Sequence, residues 1–151
     1  PQPKAKYAKK RLVHVDHLIL YRPLFAAGAT VTLRTDSKPL RDYALGQFAA
    51  AGYDTLWVSN DVRRDHPEHP ETEYECRTRE MGAVVYGICA TPGALPTDEQ
   101  LAAGRVQEQS LACYLPNNLD ELTYVPLGME EAVENFRNRA RKGKKRLPQE
   151  P

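Results

Sequence analysis

The sequence lacks the features that mark several large protein classes. Its longest uninterrupted apolar run is far shorter than the roughly 18 residues that a membrane span requires. The basic N-terminal region is not followed by the apolar segment of a secretory signal. Cysteine is scarce, with 3 in 151 residues and none in a CxxC pair. We therefore expect free thiols and a reducing compartment, either the cytoplasm or the interior of a virion or organelle.

Motifs of the common enzyme classes are missing as well. The chain contains no GxSxG elbow, no P-loop, no HExxH and no GxGxxG after a predicted strand. On this basis the sequence favours a protein that is not an enzyme. We also expect no cofactor.

Charge is abundant but unevenly distributed. The whole chain is nearly balanced, with 21 basic and 20 acidic residues, whereas residues 12–136 hold 9 basic and 19 acidic ones. The other bases lie in two end segments, 1–11 and 137–146, that contain no acid. Runs of this kind are typical of segments that bind a partner. The basic residues concerned are Lys4, Lys6, Lys9, Lys10, Arg11, Arg137, Arg139, Arg141, Lys142, Lys144, Lys145 and Arg146.

This charge distribution predicts the domain organisation. We expect a basic N-terminal arm over 1–11, a single α+β domain over 12–136, and a basic helix end and tail over 137–151. Such arms bind nucleic acid through backbone phosphates, because each contact releases condensed counterions. The acidic surface of a neighbouring subunit would also suit them.

Hydrophobic periodicity predicts both strands and helices. The best-defined piece is a β-α-β unit over 30–58, with a helix capped at Asp36 or Ser37 and ended by Gly52. Residues 60–72 are polar and proline-containing and predict an exposed loop. Further strands are predicted at 12–20, 73–76 and 82–90, with short candidates at 111–115 and 122–125. Further helices are predicted over 97–108 and from Met129 onward.

The order of these elements favours the α+β class. We predict a mixed or antiparallel sheet of about five to six strands with three helices, in a ferredoxin-like or related split β-α-β arrangement. The segment 82–90 is apolar enough to be a central strand.

The four histidines form two HxxH pairs, His14/His17 and His66/His69. Zinc needs ligand nitrogens that converge. In a strand, residues three apart point to opposite faces, which argues against a shared ion at the first pair. The second pair lies in a proline-rich loop, where convergence is possible but not required. We therefore expect no bound metal, with His66 and His69 as the candidates if one binds.

Three carboxylates offer a first alternative function. Asp61, Glu73 and Glu75 could hold a divalent ion in a metal-dependent nuclease or hydrolase. The cation that follows them, Arg77, cannot accept a proton. A charged hairpin face is the interpretation that the sequence favours for this segment.

The favoured function is a non-enzymatic subunit of a larger assembly. We expect a nucleoprotein or a virion-like or ribosome-like particle, in which the basic arms contact nucleic acid or neighbouring subunits. This predicts an oligomer or multi-subunit assembly without a membrane. A second alternative is an inhibitor that places its acidic 61–80 segment in the nucleic-acid site of an enzyme. Its important residues would be Asp65, Glu68, Glu71 and Glu73.

Overall fold

The computed structural model describes residues 2–144 and contains one three-stranded antiparallel sheet in that range. The strands are β1 (Val31–Thr35), β2 (Tyr53–Ser59) and β3 (Tyr86–Pro92), in the order β1-β3-β2. β3 is therefore central, as the sequence predicts. Since β1 and β2 both run antiparallel to β3, they run parallel to each other on its two sides.

Six α-helices and four short 3-10 helices accompany the sheet within residues 2–144. The α-helices are α1 (Val15–Tyr21), α2 (Lys38–Ala50), α3 (Val62–Asp65), α4 (Glu73–Glu80), α5 (Asp98–Val106) and α6 (Glu130–Lys144). The 3-10 helices span Ala5–Lys10, Arg22–Leu24, Leu111–Tyr114 and Leu119–Glu121.

The β-α-β unit over 30–58 is confirmed, with α2 between β1 and β2. Ser37, not Asp36, caps α2, since its Oγ accepts a hydrogen bond from the Leu40 N–H at 3.2 Å. Gly52 follows the helix with φ +76°, the left-handed conformation that favours glycine after a helix end. Because Ser37 supplies the cap, the carboxylate of Asp36 is available for other contacts.

The core lies on one face of the sheet, under α1, α2 and the segment after α5. Tyr43, Phe48, Ile88 and Leu111 are fully buried there. Val31 and Leu33 of β1 pack against this core. Thr32 and Arg34 alternate with them and lie on the other face of β1. That face is covered by α4 and by the turn before it.

The α+β class is confirmed, but the predicted sheet of five to six strands is too large. Most of the segment 12–20 lies in α1, and residues 73–76 begin α4. The segment 111–115 contains a 3-10 helix, and 122–125 forms no strand. The predictions at 111–115 and 122–125 rested on short apolar runs, a pattern that strands share with short helices. The helix predicted over 97–108 is found as α5, and the last predicted helix is found as α6.

Candidate functional site

A cavity of about 260 Å³ lies where β1 ends and α4 begins. Thr32, Arg34 and Asp36 come from β1 and its end, while α4 and its cap supply Thr72, Tyr74 and Glu75. A second cavity of about 320 Å³ lies on the other side of Asp36, between α2 and the segment 115–126. Asp36 therefore faces both cavities.

An ion pair between half-buried Arg34 and buried Glu75 joins the two walls of the first cavity. Arg34 Nε lies 3.0 Å from Glu75 Oε1, and the Glu75 side chain is 9% exposed. The other oxygen of Glu75 accepts a hydrogen bond from the Thr72 N–H at 2.8 Å, and Thr72 Oγ1 accepts one from the Glu75 N–H at 3.2 Å. This reciprocal pair is a capping box, which starts α4 and fixes the carboxylate of Glu75 at the cavity wall.

Asp36 is buried and hydrogen-bonded to two tyrosines. Its Oδ1 accepts from the Tyr74 hydroxyl at 3.2 Å, and its Oδ2 accepts from the Tyr124 hydroxyl at 2.8 Å and from the Leu127 N–H at 3.3 Å. Burial and the neighbouring Asp36 carboxylate raise the pKa of both tyrosines above the usual value. Both hydroxyls therefore stay protonated at neutral pH and act as donors. Tyr74 is 45% exposed and lies at the rim of the cavity.

The three acids predicted for a metal-dependent nuclease do not form one metal site, because each has a separate partner. Asp61 caps α3, where its Oδ1 accepts from the Arg64 N–H at 3.2 Å. Glu73 is exposed on α4 and pairs with Arg77 at 3.0 Å. Glu75 alone faces the cavity, paired with Arg34. Residues 73–76 begin a helix and not the predicted strand, so Glu73 and Glu75 lie on different sides of that helix.

Sequence reasoning missed Asp36, Thr72 and Tyr74 as site residues. A signal for Thr72 was present, because Thr72-x-x-Glu75 has the capping-box spacing. Asp36 carried no such local signal, since its position depends on the packing of α4 and residues 124–127 against the end of β1.

His14 and His17 lie at the start of α1, and each makes its own structural contact. His14 caps the helix, and its Nδ1 accepts from the Asp16 N–H at 3.1 Å. His17 Nδ1 lies 2.7 Å from the Arg11 carbonyl oxygen. His66 and His69 do converge, and Glu68 lies with them.

The N-terminal basic residues are folded against the body of the protein. Lys6 and Lys10 flank the ring of Tyr7 in the first 3-10 helix, at 4.9 and 5.1 Å from its centroid. Arg11 is buried, with its guanidinium 4.6 Å from the Tyr43 ring centroid and hydrogen-bonded to the Gln2 carbonyl. Burial lowers the pKa of Arg11. Arg11 is thus a packing residue, whereas Lys4, Lys6, Lys9 and Lys10 are exposed.

The two basic segments are neighbours in the fold. Lys4 Nζ lies 3.2 Å from Glu131 of α6, and Lys4 and Arg139 line a shared cavity of about 230 Å³. On α6, Arg139, Arg141 and Lys142 are exposed and Arg137 is half-buried. Lys144 ends the helix, while Lys145 and Arg146 lie outside the described residues.

The cysteines Cys76, Cys89 and Cys113 are free, as predicted. Burial and the neighbouring Glu108 raise the pKa of the Cys113 thiol, and a hydrogen bond to Glu71 raises that of Cys76. None of the helices described in residues 2–144 has the length and hydropathy that a bilayer crossing demands.

Comparison with known proteins identifies similar sequences over more than half of the chain. No protein-family model matches it. A protein of Streptococcus equi subsp. zooepidemicus (strain MGCS10565) is 32% identical over 92 residues, which is 60% of this chain and 44% of the relative. A protein of Brevibacillus brevis (strain 47) is 30% identical over 93 residues, which is 60% of this chain and 44% of the relative. A protein of Alkaliphilus oremlandii (strain OhILAs) is 33% identical over 91 residues, which is 60% of this chain and 43% of the relative.

All three relatives bear one name. They are tRNA (guanine-N(7)-)-methyltransferases. The matched region spans less than half the length of these relatives.

These similarities correct the functional prediction. A non-enzymatic structural subunit of a virion-like or ribosome-like particle is wrong, because the relatives are named as enzymes. The nuclease and acidic-inhibitor alternatives are wrong for the same reason, since the relatives' name describes methyl transfer. The predicted oligomer finds no support among the relatives.

Proposed function

We propose that this chain supplies the guanine-binding and RNA-binding surface of an enzyme that methylates tRNA at guanine N7. The observation that carries the proposal is the placement of two buried carboxylates, Asp36 and Glu75, on one cavity beside the exposed ring of Tyr74. The similarity to tRNA (guanine-N(7)-)-methyltransferases supplies the reaction and the substrate class.

Carboxylates at a cavity wall suit guanine because this base carries two adjacent donors. Its Watson–Crick edge presents the N1–H and the exocyclic amino group, and a carboxylate accepts from both. Enzymes that act on a single base commonly bind it by this edge and stack it on an aromatic side chain. In the proposed complex the base stacks on Tyr74 at the rim of the cavity. The N7 atom lies on the opposite edge and stays accessible for methylation.

The site retains hydrogen-bonding capacity for such a base. A carboxylate accepts about four hydrogen bonds. Asp36 accepts three, from Tyr74, Tyr124 and Leu127, and Glu75 receives one from Thr72 and pairs with Arg34. A guanine donor can therefore add to either carboxylate or replace a tyrosine hydroxyl at Asp36.

Methylation at N7 requires no base at that atom but creates a positive charge on the purine ring. The N7 lone pair forms the new C–N bond, and the bond between the methyl group and its donor breaks with its electron pair leaving on the donor. No proton leaves N7, so this step needs no base at that atom. The purine ring becomes positively charged, and a nearby carboxylate stabilises that charge most strongly where water is excluded. Asp36 and Glu75 are positioned for this role.

α6 begins beside the site with an acidic first turn, Glu130 and Glu131, and its basic residues lie toward its far end. The Leu127 N–H donates to Asp36, and Met129 Sδ lies 3.5 Å from Ser37 Oγ, so α6 starts beside the end of β1. A helix of 15 residues is about 22 Å long, which carries Arg139, Arg141 and Lys142 away from the base site. Together with the exposed lysines of the N-terminal 3-10 helix, these residues suit the phosphates of an RNA backbone.

A pair of isosteric substitutions in α4 tests this proposal. Glu75→Gln keeps the capping box, because glutamine also serves at that position, but removes the charge from the cavity. Glu73→Gln removes an exposed charge two residues away and is the matched control. We expect Glu75→Gln to weaken binding of a tRNA transcript about tenfold, the usual effect of losing a charged hydrogen bond. Glu73→Gln should leave binding unchanged or slightly stronger.

Fluorescence anisotropy at fixed salt measures both variants. Thermal unfolding then verifies that Glu75→Gln is still folded. Equal tRNA affinity of the wild-type chain and a folded Glu75→Gln variant would contradict the proposed guanine site.

A further inference from the structure

A histidine-rich turn lies between α3 and α4, outside the cavity described above. α3 ends at Asp65, and His66, Pro67, Glu68 and His69 follow. The His69 N–H donates to the His66 carbonyl at 3.1 Å, which closes the turn and brings both imidazoles to one side. We propose that His66, Glu68 and His69 form a binding site for Zn²⁺ or a similar divalent transition-metal ion.

The distances between the ligand atoms suit a tetrahedral ion. His66 Nδ1 lies 3.3 Å from Glu68 Oε1, and His69 Nε2 lies 3.7 Å from the same oxygen. The three ligand atoms all lie within 4.8 Å of one another. Zinc bonds of about 2.0–2.1 Å at tetrahedral angles separate neighbouring ligand atoms by about 3.3–3.4 Å. Two of the three separations are thus close to the bound geometry, and small side-chain rotations complete it.

Trp57 of β2 holds the imidazole of His66 in place. The two rings stack with their centroids 4.0 Å apart and their planes at 24°. Stacking uses the face of the imidazole and leaves its nitrogens, which lie in the ring plane, available as ligands. The edge of His69 lies against the same indole, with centroids 5.9 Å apart and planes at 75°. This packing orients both histidines before an ion arrives.

The donor set determines which ions fit. Two imidazole nitrogens and one carboxylate oxygen favour Zn²⁺, Co²⁺, Ni²⁺ or Cu²⁺ over Mg²⁺ and Ca²⁺, which prefer oxygen ligands alone. Three protein ligands leave a fourth position for water. The ligands are half-buried or exposed, so an ion can enter from solvent.

A bound ion would fix the turn that leads into α4. Pro70 follows the ligands directly, and its carbonyl oxygen accepts from Arg34 Nη1 at 2.9 Å. Arg34 in turn pairs with Glu75. An ion bound here would therefore stabilise the conformation of the turn. The metal site does not depend on the guanine site.

Isothermal titration with ZnCl₂ tests the site on the whole chain. We expect one ion per chain in the wild type and a rise in melting temperature at about 100 µM free Zn²⁺, since an ion that binds only the folded state stabilises it. His69→Gln should weaken the binding at least tenfold. His17→Gln removes a half-buried histidine of α1, outside this turn, and should bind as the wild type does.

Cobalt supplies a readout of the coordination itself. Co²⁺ bound to the wild type should give the visible absorption of a four-coordinate site, and His69→Gln should lose it. The proposal is overturned if the wild type shows neither heat nor a melting shift, or if His69→Gln binds Zn²⁺ as tightly as the wild type. Equal loss of binding in His17→Gln would overturn it as well.

Discussion

At the scale of single residues, His14 shows how burial sets a protonation state. The residue is 1% exposed, and its Nδ1 accepts the N–H of Asp16 to cap α1. Burial lowers the pKa of His14, and this effect outweighs the attraction of the Asp16 carboxylate. The acceptor role requires an unprotonated Nδ1, so protonation removes the cap as well as charging a buried ring.

This lowered pKa makes stability depend on pH. Above about pH 6.5, the ordinary pKa of histidine, His14 is neutral in both the folded and the unfolded chain, and its contribution to the free energy of unfolding is complete. Below that pH the unfolded chain takes up the proton more readily. The contribution is then lost as the pH falls through the lower pKa of the folded state.

Urea unfolding at pH 7 and pH 5 measures this effect. His14→Asn keeps a capping acceptor but cannot titrate, so its free energy of unfolding should fall less between the two pH values than that of the wild type. The carboxylates are common to both chains and cancel in the comparison. The same decrease in both chains would show that His14 does not titrate in this way.

The site residues differ in how far the sequence could predict them. Glu75 was a candidate from its charge alone, and Thr72 had the spacing of a capping box. Asp36 required the structure, because its partners Tyr74 and Tyr124 lie 38 and 88 positions away along the chain. Contacts at such separations depend on tertiary packing, and no local pattern encodes them.

At the scale of secondary structure, two helices were predicted as strands although helix signals were present. In α1, Val15 and Leu18 are buried at a spacing of three, whereas Leu12 and Leu20 at the ends of the segment are exposed. Alternation would have required a spacing of two. In α4, the Thr72 and Glu75 pair forms a capping box with the same spacing as the Thr97 and Gln100 pair at the start of α5.

The predicted strands at 111–115 and 122–125 failed for a different reason. The 3-10 helix Leu111–Tyr114 packs on α2, and Leu111 is fully buried in the core. Short apolar runs satisfy burial in a strand or in an irregular segment, so the sequence pattern alone does not distinguish them.

A glycine within α5 gives a prediction at this scale. Gly104 lies where α5 crosses α1 and α2, and an added Cβ would lie 2.6 Å from Ala50 Cβ and 3.2 Å from Val15 Cβ. Alanine improves helix propensity by about 1 kcal/mol, whereas overpacking a core contact costs about 1–3 kcal/mol. We expect Gly104→Ala to lower the free energy of unfolding by about 1 kcal/mol, because the neighbours are short side chains that cannot move aside.

Chemical denaturation checks this expectation. Ala102→Gly, at an exposed position of the same helix, reports the propensity effect alone and should destabilise by about 1 kcal/mol. A Gly104→Ala variant more stable than the wild type would show that the contact between α5 and α2 is looser than described.

At the scale of the whole molecule, the fold joins features that are far apart in the sequence. The basic segments at the two ends lie side by side through Lys4 and α6. The same helix begins beside Asp36. A single helix, α6, therefore connects the carboxylate-lined cavity to the basic surface. This arrangement suits an RNA whose target base enters the cavity while its backbone follows the basic residues.

Discrimination between nucleotides tests the proposed guanine site most directly. NMR titration of the chain with the 5′-monophosphates of guanosine, inosine and adenosine compares ligands that differ only in the base. Guanosine offers both donors to Asp36 and Glu75, inosine lacks the amino group, and adenosine lacks the N1–H. A guanine site here predicts shifts of the Asp36, Thr72 and Glu75 amide signals with guanosine monophosphate. Binding should be about tenfold weaker for inosine monophosphate and weaker still for adenosine monophosphate. Equal affinity for guanosine and adenosine monophosphates, or shifts confined to residues away from this cavity, would contradict it.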